Sequence, residues 1–295
     1  MNIQPRFKIK ELCLAGAADR GISYIGVFGC FKEHDLLDLK KLYCVSIGSL
    51  IGTLHLIGYT PDEMIEIVLS QNISDFEDIS IKSVLTNGSV LDGGRYRLWV
   101  MGLIGEKVNP MITFKGMFDK NGIFFNISAV SLDSGEDGLE YFNHETMPDM
   151  PIYYAILASM AIPLLFPPMV YNNKRYIDGA VLENFPIHLL SKDGVGFRIT
   201  SQVLDADLTN ITYVMKIITL ISTRMRKSTK YKGSVYAIDA SDYSSNVSFT
   251  LTRDNKITLY YRGYDKGMEC LRDLLVKQEM NEINDMSAED VNATP

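Results

Sequence analysis

Two segments of the sequence carry side chains of the kind that acyl transfer needs, a hydroxyl and a carboxylate. Ser46 lies in Cys44-Val45-Ser46-Ile47-Gly48, between a predicted strand and a predicted helix. A serine on such a turn presents its hydroxyl at the carboxyl end of a sheet. The turn is strained, so the positions two before and two after the serine must be small. Gly48 meets this demand and Cys44 meets it in part. A serine at such a junction is also a common helix cap, and both interpretations stay open on this segment alone.

Asp178 is the candidate base. It lies in Tyr176-Ile177-Asp178-Gly179-Ala180, at the end of a predicted strand and before two small residues. A lone Asp-Gly pair is most often a surface turn. An aspartate has a reference pKa of ~3.9, and partial burial raises it toward the range in which a base works near neutral pH. A partly buried aspartate at such a turn could act as a base, whereas a surface turn would leave it exposed, and both interpretations stay open on this segment alone.

A loop of small residues follows the first predicted strand and opens a helix, Gly16-Ala17-Ala18-Asp19-Arg20-Gly21. Such a loop leaves backbone N–H groups free to bind a phosphate or an oxyanion. A nucleotide phosphate loop would need a lysine after the last glycine, where this chain has Ile22. The dinucleotide pattern G-x-G-x-x-G also fails, because Ala18 stands at its second glycine. A tight packing turn between strand and helix remains the alternative.

The order strand, small turn, helix recurs along the chain and predicts a parallel α/β sheet. The predicted strands are 8–14, 42–45, 122–131, 139–142, 175–178, 233–239 and 247–262. The predicted helices are 22–34, 47–56, 61–70, 95–105, 152–161, 211–226 and 264–280. No linker divides the chain, so we expect a single domain over residues 1–280 and a frayed, disordered polar tail over residues 281–295.

The helix predicted over 95–105 has an apolar stripe flanked by basic residues. A lid or an interfacial helix would have this pattern, and so would a helix that faces the core, which is the more common case. The stripe consists of Tyr96, Trp99, Val100, Leu103 and Ile104.

Composition narrows the class of protein. Hydrophobic residues make up 46% of the 295 residues and charged residues 22%, which supports a packed core. The net charge of −7 argues against a nucleic-acid partner, which would require a basic stripe. The first residues have no apolar core of signal-peptide length, and the four cysteines show no paired spacing. We therefore expect reduced thiols and a cytoplasmic protein. The four histidines lack metal-ligand spacing, and no metal or cofactor is expected.

Four segments together resemble the patatin-like phospholipase family, whose pattern runs G-G-G-x-[RK]-G, G-x-S-x-G, A-S-x-A-x-P and D-G-[GA]. The corresponding segments are Gly16 to Gly21, Cys44 to Gly48, Ala158 to Pro163 and Asp178 to Ala180. The similarity covers roughly residues 10–190, and the C-terminal third is more loosely similar to microbial and large-virus members. The resemblance implies a three-layer α/β/α sandwich around a mainly parallel sheet.

The resemblance also implies a function and a set of site residues. It implies a phospholipase A-type lipid acyl hydrolase with Ser46 as nucleophile and Asp178 as base, without a metal. Its substrate would be a phospholipid or another acyl lipid, with peripheral membrane contact. The N–H groups of Ala17, Ala18 and Asp19 would form the oxyanion hole, and Arg20 would brace that loop. The supporting residues are Gly16 and Gly21 of the loop, Cys44 and Gly48 of the elbow, and Gly179 and Ala180 of the turn after the base.

Three positions depart from the family pattern, since Ala17, Ala18 and Cys44 replace glycines. An alanine that must adopt φ > 0 is unfavourable by roughly 1–2 kcal/mol, and Cys44 is expected to crowd the turn. The alternative hypothesis is therefore a weak or inactive lipid-binding or scaffold protein. A further alternative is a triad through His188, which follows Asp178 in the order found in α/β-hydrolases.

Overall fold

A computed structural model describes residues 7–71, 78, 88–135, 137–200, 213, 216, 217, 220, 224, 231, 233–242 and 251–292. Its strands are β1 (Ile9–Leu14), β2 (Leu37–Val45), β3 (Phe124–Ser131), β4 (Leu139–Phe142), β5 (Met169–Tyr171), β6 (Lys174–Asp178), β7 (Val195–Thr200) and β8 (Ser234–Asp239). Its α-helices are α1 (Ile22–Glu33), α2 (Ile47–Ile57), α3 (Pro61–Ser70), α4 (Gly94–Lys107), α5 (Phe114–Asn121), α6 (Ile152–Ser159) and α7 (Arg253–Asn292). Short 3₁₀ turns span Ala18–Gly21, Gly179–Val181 and Ile187–Leu189.

The strands form one mostly parallel sheet in the order β5-β6-β3-β2-β1-β7-β8, and β4 also pairs with β3. The four neighbours β3, β2, β1 and β7 run parallel, as does β8 beside β7. Strands β4 and β6 are antiparallel to β3, and β5 is antiparallel to β6. The predicted α/β class with a mainly parallel sheet is therefore confirmed. The carboxyl ends of β1 and β2 lie side by side, which brings their two following loops together.

Alternate residues of the central strands pack into two different clusters. Leu12 and Leu14 of β1 belong to the main core, which contains side chains from all seven α-helices. Cys13 and Ala15 point the other way, into a smaller cluster with the segment 185–190. Because side chains alternate across a strand, both faces of the sheet are covered in the described part of the chain.

The C-terminal helix α7 packs against α1 at very short range. A Cβ on Gly26 of α1 would lie 1.8 Å from the carbonyl oxygen of Tyr260, and one on Gly263 of α7 would lie 1.7 Å from that of Ser23. The strand predicted over 247–262 is therefore wrong from Arg253 onward. Its aromatic and β-branched residues favour a strand locally, but glycine-mediated packing between the helices outweighs that preference.

The other predicted elements agree with the structure to within two residues at their ends, with three exceptions. Strand β2 begins at Leu37, five residues before the predicted start at residue 42. The helix predicted over 211–226 lies almost entirely outside the described residues. Helix α7 continues to Asn292, whereas the sequence predicts a disordered tail from residue 281. A helix able to cross a bilayer is not found within the described residues.

Candidate active site

Ser46 occupies the sharp turn between β2 and α2. Its backbone has φ 53° and ψ −129°, a conformation that is unfavourable for any residue other than glycine. Such strain is of order 1–3 kcal/mol and persists only where the surroundings impose it. Helix α2 begins at Ile47, so the positive end of its dipole lies beside the serine. The predicted strand–turn–helix context of Ser46 is therefore present.

Two glycines of α2 let this helix approach the sheet. A Cβ on Gly48 would lie 2.7 Å from the carbonyl oxygen of Leu14, so a side chain is excluded there. One turn later, a Cβ on Gly52 would lie 2.8 Å from Sγ of Cys44. The expectation that Cys44 crowds the turn is therefore wrong, because its side chain points into the room that Gly52 leaves.

Asp178 is the last residue of β6, which is antiparallel to β3. Its N–H donates to the carbonyl of Ala161 at 3.0 Å, and its Oδ1 accepts the N–H of Ala180 at 2.8 Å. A Cβ on Gly179 would lie 2.4 Å from the carbonyl oxygen of Ser128. The two small residues after Asp178 thus permit close packing on β3 and fix one carboxylate oxygen.

The Ser46 hydroxyl donates a hydrogen bond of 2.7 Å to Oδ2 of Asp178, across 132 positions of sequence. Both residues are buried, with 4% and 3% of their surface exposed. Burial raises the pKa of Asp178 to about 7, although the hydrogen bonds from Ala180 and Ser46 lower it in part. The pair therefore combines a serine hydroxyl with a carboxylate that can accept a proton near neutral pH.

Ser159, the last residue of α6, connects the serine turn to β3. Its Oγ accepts the N–H of Ser46 at 2.8 Å and donates to the carbonyl of Ser128 at 2.6 Å. The side chain is fully buried. Ser159 therefore satisfies a backbone donor of the strained turn that would otherwise be left unpaired.

The loop of small residues runs beside Ser46 and is anchored by Asn184. The N–H of Gly16 donates to the backbone carbonyl of Asn184, and Nδ2 of Asn184 donates back to the carbonyl of Gly16, both at 3.1 Å. A Cβ on Gly16 would lie 2.3 Å from Oδ1 of Asn184 and 3.1 Å from Cβ of Ser46. The N–H of Gly16 is thus already engaged, and its role is close packing.

Two N–H groups of the loop remain for a ligand. Those of Ala17 and Ala18 donate to no other residue in the described part of the chain. The backbone N–H groups of Arg20 and Asp19 lie near the carboxylate of Asp19 and lower its pKa in part. Ala18 has φ 49°, whereas Ala17 has φ −149°, so the strain anticipated for an alanine in this loop falls on Ala18 alone. Ala18 also lines the cleft described below.

Arg20 and Asp19 form a largely buried pair in this loop. The Nε of Arg20 donates to the carbonyl of Ala17 at 3.4 Å and lies 4.0 Å from the Asp19 carboxylate. Burial lowers the pKa of Arg20 and raises that of Asp19 to about 6, although Arg20 opposes the second shift. Gly21 closes the loop against Ile47, because a Cβ there would lie 2.4 Å from that side chain. The Arg20 side chain therefore lies inside the loop and bonds to it, which is compatible with the bracing role that the resemblance implies.

An apolar cleft opens beside Ser46 and encloses about 980 Å³ of empty space, part of it open to solvent. Two charged side chains line it, Asp19 and Lys256. Its remaining lining residues are Ala18, Ile22, Ser46, Ile47, Leu50, Val68, Gln71, Leu91, Tyr96, Trp99, Met160, Ile162 and Phe166. A cleft of this composition suits a hydrocarbon chain that leads to a polar reaction centre.

Helix α4 forms part of the cleft wall and faces the core. Tyr96, Val100, Leu103 and Ile104 are buried, and Trp99 is half-buried at the cleft. The core-facing interpretation of the stripe is therefore the correct one. Leu98, which lies outside the stripe, is 71% exposed.

The triad alternative through His188 has no support in the geometry. Nδ1 of His188 lies 3.1 Å from Oε1 of Glu183, and the oxygens of Asp178 are bonded to Ser46 and Ala180. Within the described residues, no three side chains of histidine, cysteine, aspartate or glutamate are grouped as metal ligands.

Three residues with a part in this site were given no role by the sequence. Ser159 stands inside the A-S-x-A-x-P segment, Asn184 follows the D-G-A segment, and Lys256 falls in the region predicted as a strand. Motif order indicates the first two as positions of interest, but only the fold reveals what they bond.

A strained serine, a buried carboxylate and an apolar cleft together form the kind of site that nucleophilic serine chemistry requires. The family model described as patatin-like phospholipase matches residues 12–191. The chain therefore belongs to the patatin-like phospholipase family.

Individual relatives agree with this assignment. The chain is 29% identical over 197 residues to a probable lipid hydrolase, 463L, of Invertebrate iridescent virus 6, covering 65% of this chain and 66% of that protein. It is 30% identical over 224 residues to the patatin-like phospholipase domain-containing protein CNBE2340 of Cryptococcus neoformans, covering 68% of this chain and 25% of that protein. The chain thus spans less than two thirds of the length of either relative.

A solved structure shares the fold. VipD from Legionella pneumophila superposes with a TM-score of 0.60 at 16% identity, covering 91% of this chain and 68% of that one. At this identity the likeness concerns the fold alone.

Proposed function

We propose that this chain is a lipid acyl hydrolase of the phospholipase A type that works through an acyl-Ser46 intermediate. The observation that carries the proposal is the 2.7 Å hydrogen bond from Ser46 to the buried Asp178, beside an apolar cleft. Family membership supports the substrate class, a lipid ester. The mechanism proposed for these residues uses no metal and no cofactor.

In the first half-reaction, Ser46 Oγ attacks the ester carbonyl while Asp178 accepts the hydroxyl proton. The tetrahedral oxyanion that forms is bound by the N–H groups of Ala17 and Ala18, each worth roughly 3–4 kcal/mol in a dry site. The oxyanion collapses, the bond to the alcohol breaks, and Asp178 returns its proton to the leaving oxygen. The product is the acyl ester of Ser46 and a free alcohol.

In the second half-reaction, a water molecule takes the place of the alcohol. Asp178 accepts a proton from this water as its oxygen attacks the acyl ester, and the same N–H groups bind the second oxyanion. Breaking the bond to Ser46 Oγ releases the fatty acid, and the proton returns to Ser46. Asp178 serves as base and then as acid in each half-reaction, which suits a carboxyl whose pKa burial raises to about 7.

The alternative function, a lipid-binding or scaffold protein without activity, rests on Ala18 at φ 49° in the proposed oxyanion loop. Labelling with a fluorophosphonate probe and hydrolysis of a defined phospholipid panel separate the two. We expect the wild type to be labelled and active, Ser46→Ala to be neither, and Asp178→Asn to lose at least 100-fold in hydrolysis, about the size of a lost general base. No labelling of the wild type, or equal labelling of Ser46→Ala, would leave only the alternative.

We also propose peripheral contact with a lipid surface. The exposed Leu98 on α4, one position before the cleft-lining Trp99, gives this face an apolar contact point. Leu98→Glu is expected to weaken vesicle binding and to leave hydrolysis of a short soluble ester unchanged. Unchanged vesicle binding of Leu98→Glu would contradict the proposed contact with a lipid surface.

A further inference from the structure

The carboxamide of Asn184 bonds to the small-residue loop but takes no part in the mechanism above. Its Nδ2 donates to the carbonyl oxygen of Gly16 at 3.1 Å. Only the NH2 end of a carboxamide can donate to a carbonyl oxygen, so this contact fixes which way the amide is turned. A separate bond joins the same two residues, since the backbone carbonyl of Asn184 accepts the N–H of Gly16 at 3.1 Å. The side chain and the backbone of Asn184 therefore hold Gly16 independently.

The carbonyl of Gly16 shares a peptide group with the N–H of Ala17, one of the donors proposed for the oxyanion. A peptide group is planar and almost always trans, so its C=O and N–H point in opposite directions. Holding the Gly16 carbonyl against Asn184 therefore sets the direction of the Ala17 N–H. The same bond polarises the peptide group, because a hydrogen bond accepted by the carbonyl strengthens the donor at the other end.

This peptide group follows an α-carbon that is packed against the proposed nucleophile. A Cβ on Gly16 would lie 2.3 Å from Oδ1 of Asn184 and 3.1 Å from Cβ of Ser46. Gly16 is therefore enclosed between these two side chains, and Ala17 supplies the next N–H along the chain. Turning the peptide group over would exchange the directions of its N–H and its carbonyl oxygen. An acceptor would then replace the donor that the oxyanion requires.

The following peptide group is held in the same way. The carbonyl of Ala17 accepts Nε of Arg20 at 3.4 Å, and the N–H of that peptide group belongs to Ala18. Both proposed oxyanion donors thus belong to peptide groups whose carbonyls are bonded by a side chain. Arg20 is part of the loop itself, whereas Asn184 comes from the segment that follows Asp178.

We propose that Asn184 is a positioning residue that aims the N–H of Ala17 at the oxyanion. This role rests on the proposed function, since the oxyanion belongs to it. Asn184 does not line the apolar cleft, so it takes no part in holding an acyl chain there. Loss of its side chain should therefore slow the chemical step and leave substrate binding nearly unchanged.

The kinetics of Asn184→Ala and Asn184→Asp test this role. Both variants lose the Nδ2 donor and keep the backbone bond to Gly16, and the aspartate also keeps the shape of the side chain. On a short soluble ester we expect kcat to fall at least about 10-fold, toward the roughly 10²–10³-fold of a lost oxyanion donor, and KM to change less than about 2-fold. Asn109→Ala is the control, because the exposed Asn109 carboxamide also bonds a backbone group, the N–H of Met111 at 2.9 Å. This control should keep the wild-type kcat.

A thionoester with the same acyl chain separates a misdirected N–H from a general loss of structure. Its developing negative charge falls on sulfur, which accepts N–H bonds more weakly than oxygen does. The ratio of ester to thionoester hydrolysis therefore reports the oxyanion donors, and we expect both Asn184 variants to lower it at least about 5-fold. A purely structural role would lower the two rates in parallel and keep the wild-type ratio.

The direction of the peptide group is also measured without turnover, in crystal structures of the wild type and Asn184→Ala. We expect the Gly16–Ala17 peptide group to turn in the variant, and Asn184→Asp serves for the comparison if Asn184→Ala does not fold. An unchanged peptide direction, or an ester-to-thionoester ratio equal to that of the wild type, would overturn the inference. A wild type that hydrolyses no ester would instead remove the proposed function, and the crystal structures would still decide whether Asn184 directs the Ala17 N–H.

Discussion

Ser159 lies directly behind Ser46 and bonds its backbone, since its Oγ accepts the N–H of Ser46 at 2.8 Å. The same hydroxyl donates to the carbonyl of Ser128 at 2.6 Å, so one side chain connects the strained turn to the adjacent strand β3. Ser46 has φ 53°, and the surroundings must hold it there. We infer that Ser159 is a positioning residue for the proposed nucleophile.

Replacing Ser159 tests this role. Ser159→Ala leaves the N–H of Ser46 without this acceptor and removes one bond to the carbonyl of Ser128 in a buried site, which we expect to destabilise the protein by about 1–3 kcal/mol. Hydrolysis should fall more than stability alone explains, because the turn is free to relax. Denaturant unfolding and kcat on one phospholipid measure the two effects.

Ser70→Ala is the matched control for Ser159→Ala. The hydroxyl of Ser70 also bonds a backbone carbonyl, that of Ile67, but it is exposed on α3. We expect a change within about 0.5 kcal/mol and unaltered hydrolysis. A Ser159→Ala variant as stable and active as this control would show that the bond to Ser46 does not hold the turn.

The pH dependence of hydrolysis should report Asp178. The base must be ionised, and burial raises its pKa to about 7. We therefore expect kcat/KM to rise with pH through about 7 and to reach a plateau above it. Asp19, whose pKa is raised to about 6, is the other carboxyl that titrates near this pH. We expect Asp19→Asn to leave unchanged the pH at which kcat/KM rises. A rise of kcat/KM centred near pH 4, or one whose midpoint moves in Asp19→Asn, would exclude Asp178 as the titrating base.

The same shift predicts how stability depends on pH. The pKa of Asp178 is higher in the folded protein than the unfolded value of 3.8, so the folded state binds the proton more tightly. This carboxyl therefore lowers wild-type stability progressively as pH rises from about 4 to about 7, by up to roughly 4 kcal/mol. Asp178→Asn has no such group, so its stability relative to the wild type should increase over that window.

Asp133→Asn is the control, because the pKa of Asp133 is shifted in the opposite direction to that of Asp178. The side chain of Arg175 holds the pKa of Asp133 at about 2, below its ordinary value, so its contribution changes only at lower pH. The stability difference between this variant and the wild type should stay constant from about pH 5 to pH 8. A difference for Asp178→Asn that is equally constant would contradict the raised pKa.

Local patterns in the sequence were sufficient for most of the helices and strands, although β5, β7 and α5 were not predicted. The two residues of the proposed dyad came from the order of the motifs and the resemblance that it supports. Strand and helix periodicity placed β1, β2, α1 and α2, and the order of small-residue motifs brought Ser46 and Asp178 together. These features depend on residues that are near one another in the sequence, or on a motif order that a resemblance supplies.

The remainder depends on contacts between distant segments. The backbone carbonyl of Asn184 accepts the N–H of Gly16 across 168 positions, which no local pattern encodes. Lys256 reaches α3 across 188 positions, from a region whose β-branched and aromatic residues favour a strand. Whether Ala18 has positive φ depends on the path that the loop takes between β1 and α1. Composition alone does not indicate any of these.

The strain at Ala18 gives the last prediction. At φ 49° an alanine is unfavourable by roughly 1–2 kcal/mol relative to glycine, whereas Ala17 at φ −149° has no such strain. Glycine also adds about 0.4–1 kcal/mol of entropy to the unfolded chain at either position. Ala17→Gly should therefore destabilise, and Ala18→Gly should be more stable than Ala17→Gly by about 1–2 kcal/mol in denaturant unfolding. Equal effects of the two substitutions on the free energy of unfolding would mean that the loop relaxes around Ala18. In that case the strain would no longer support the inactive alternative.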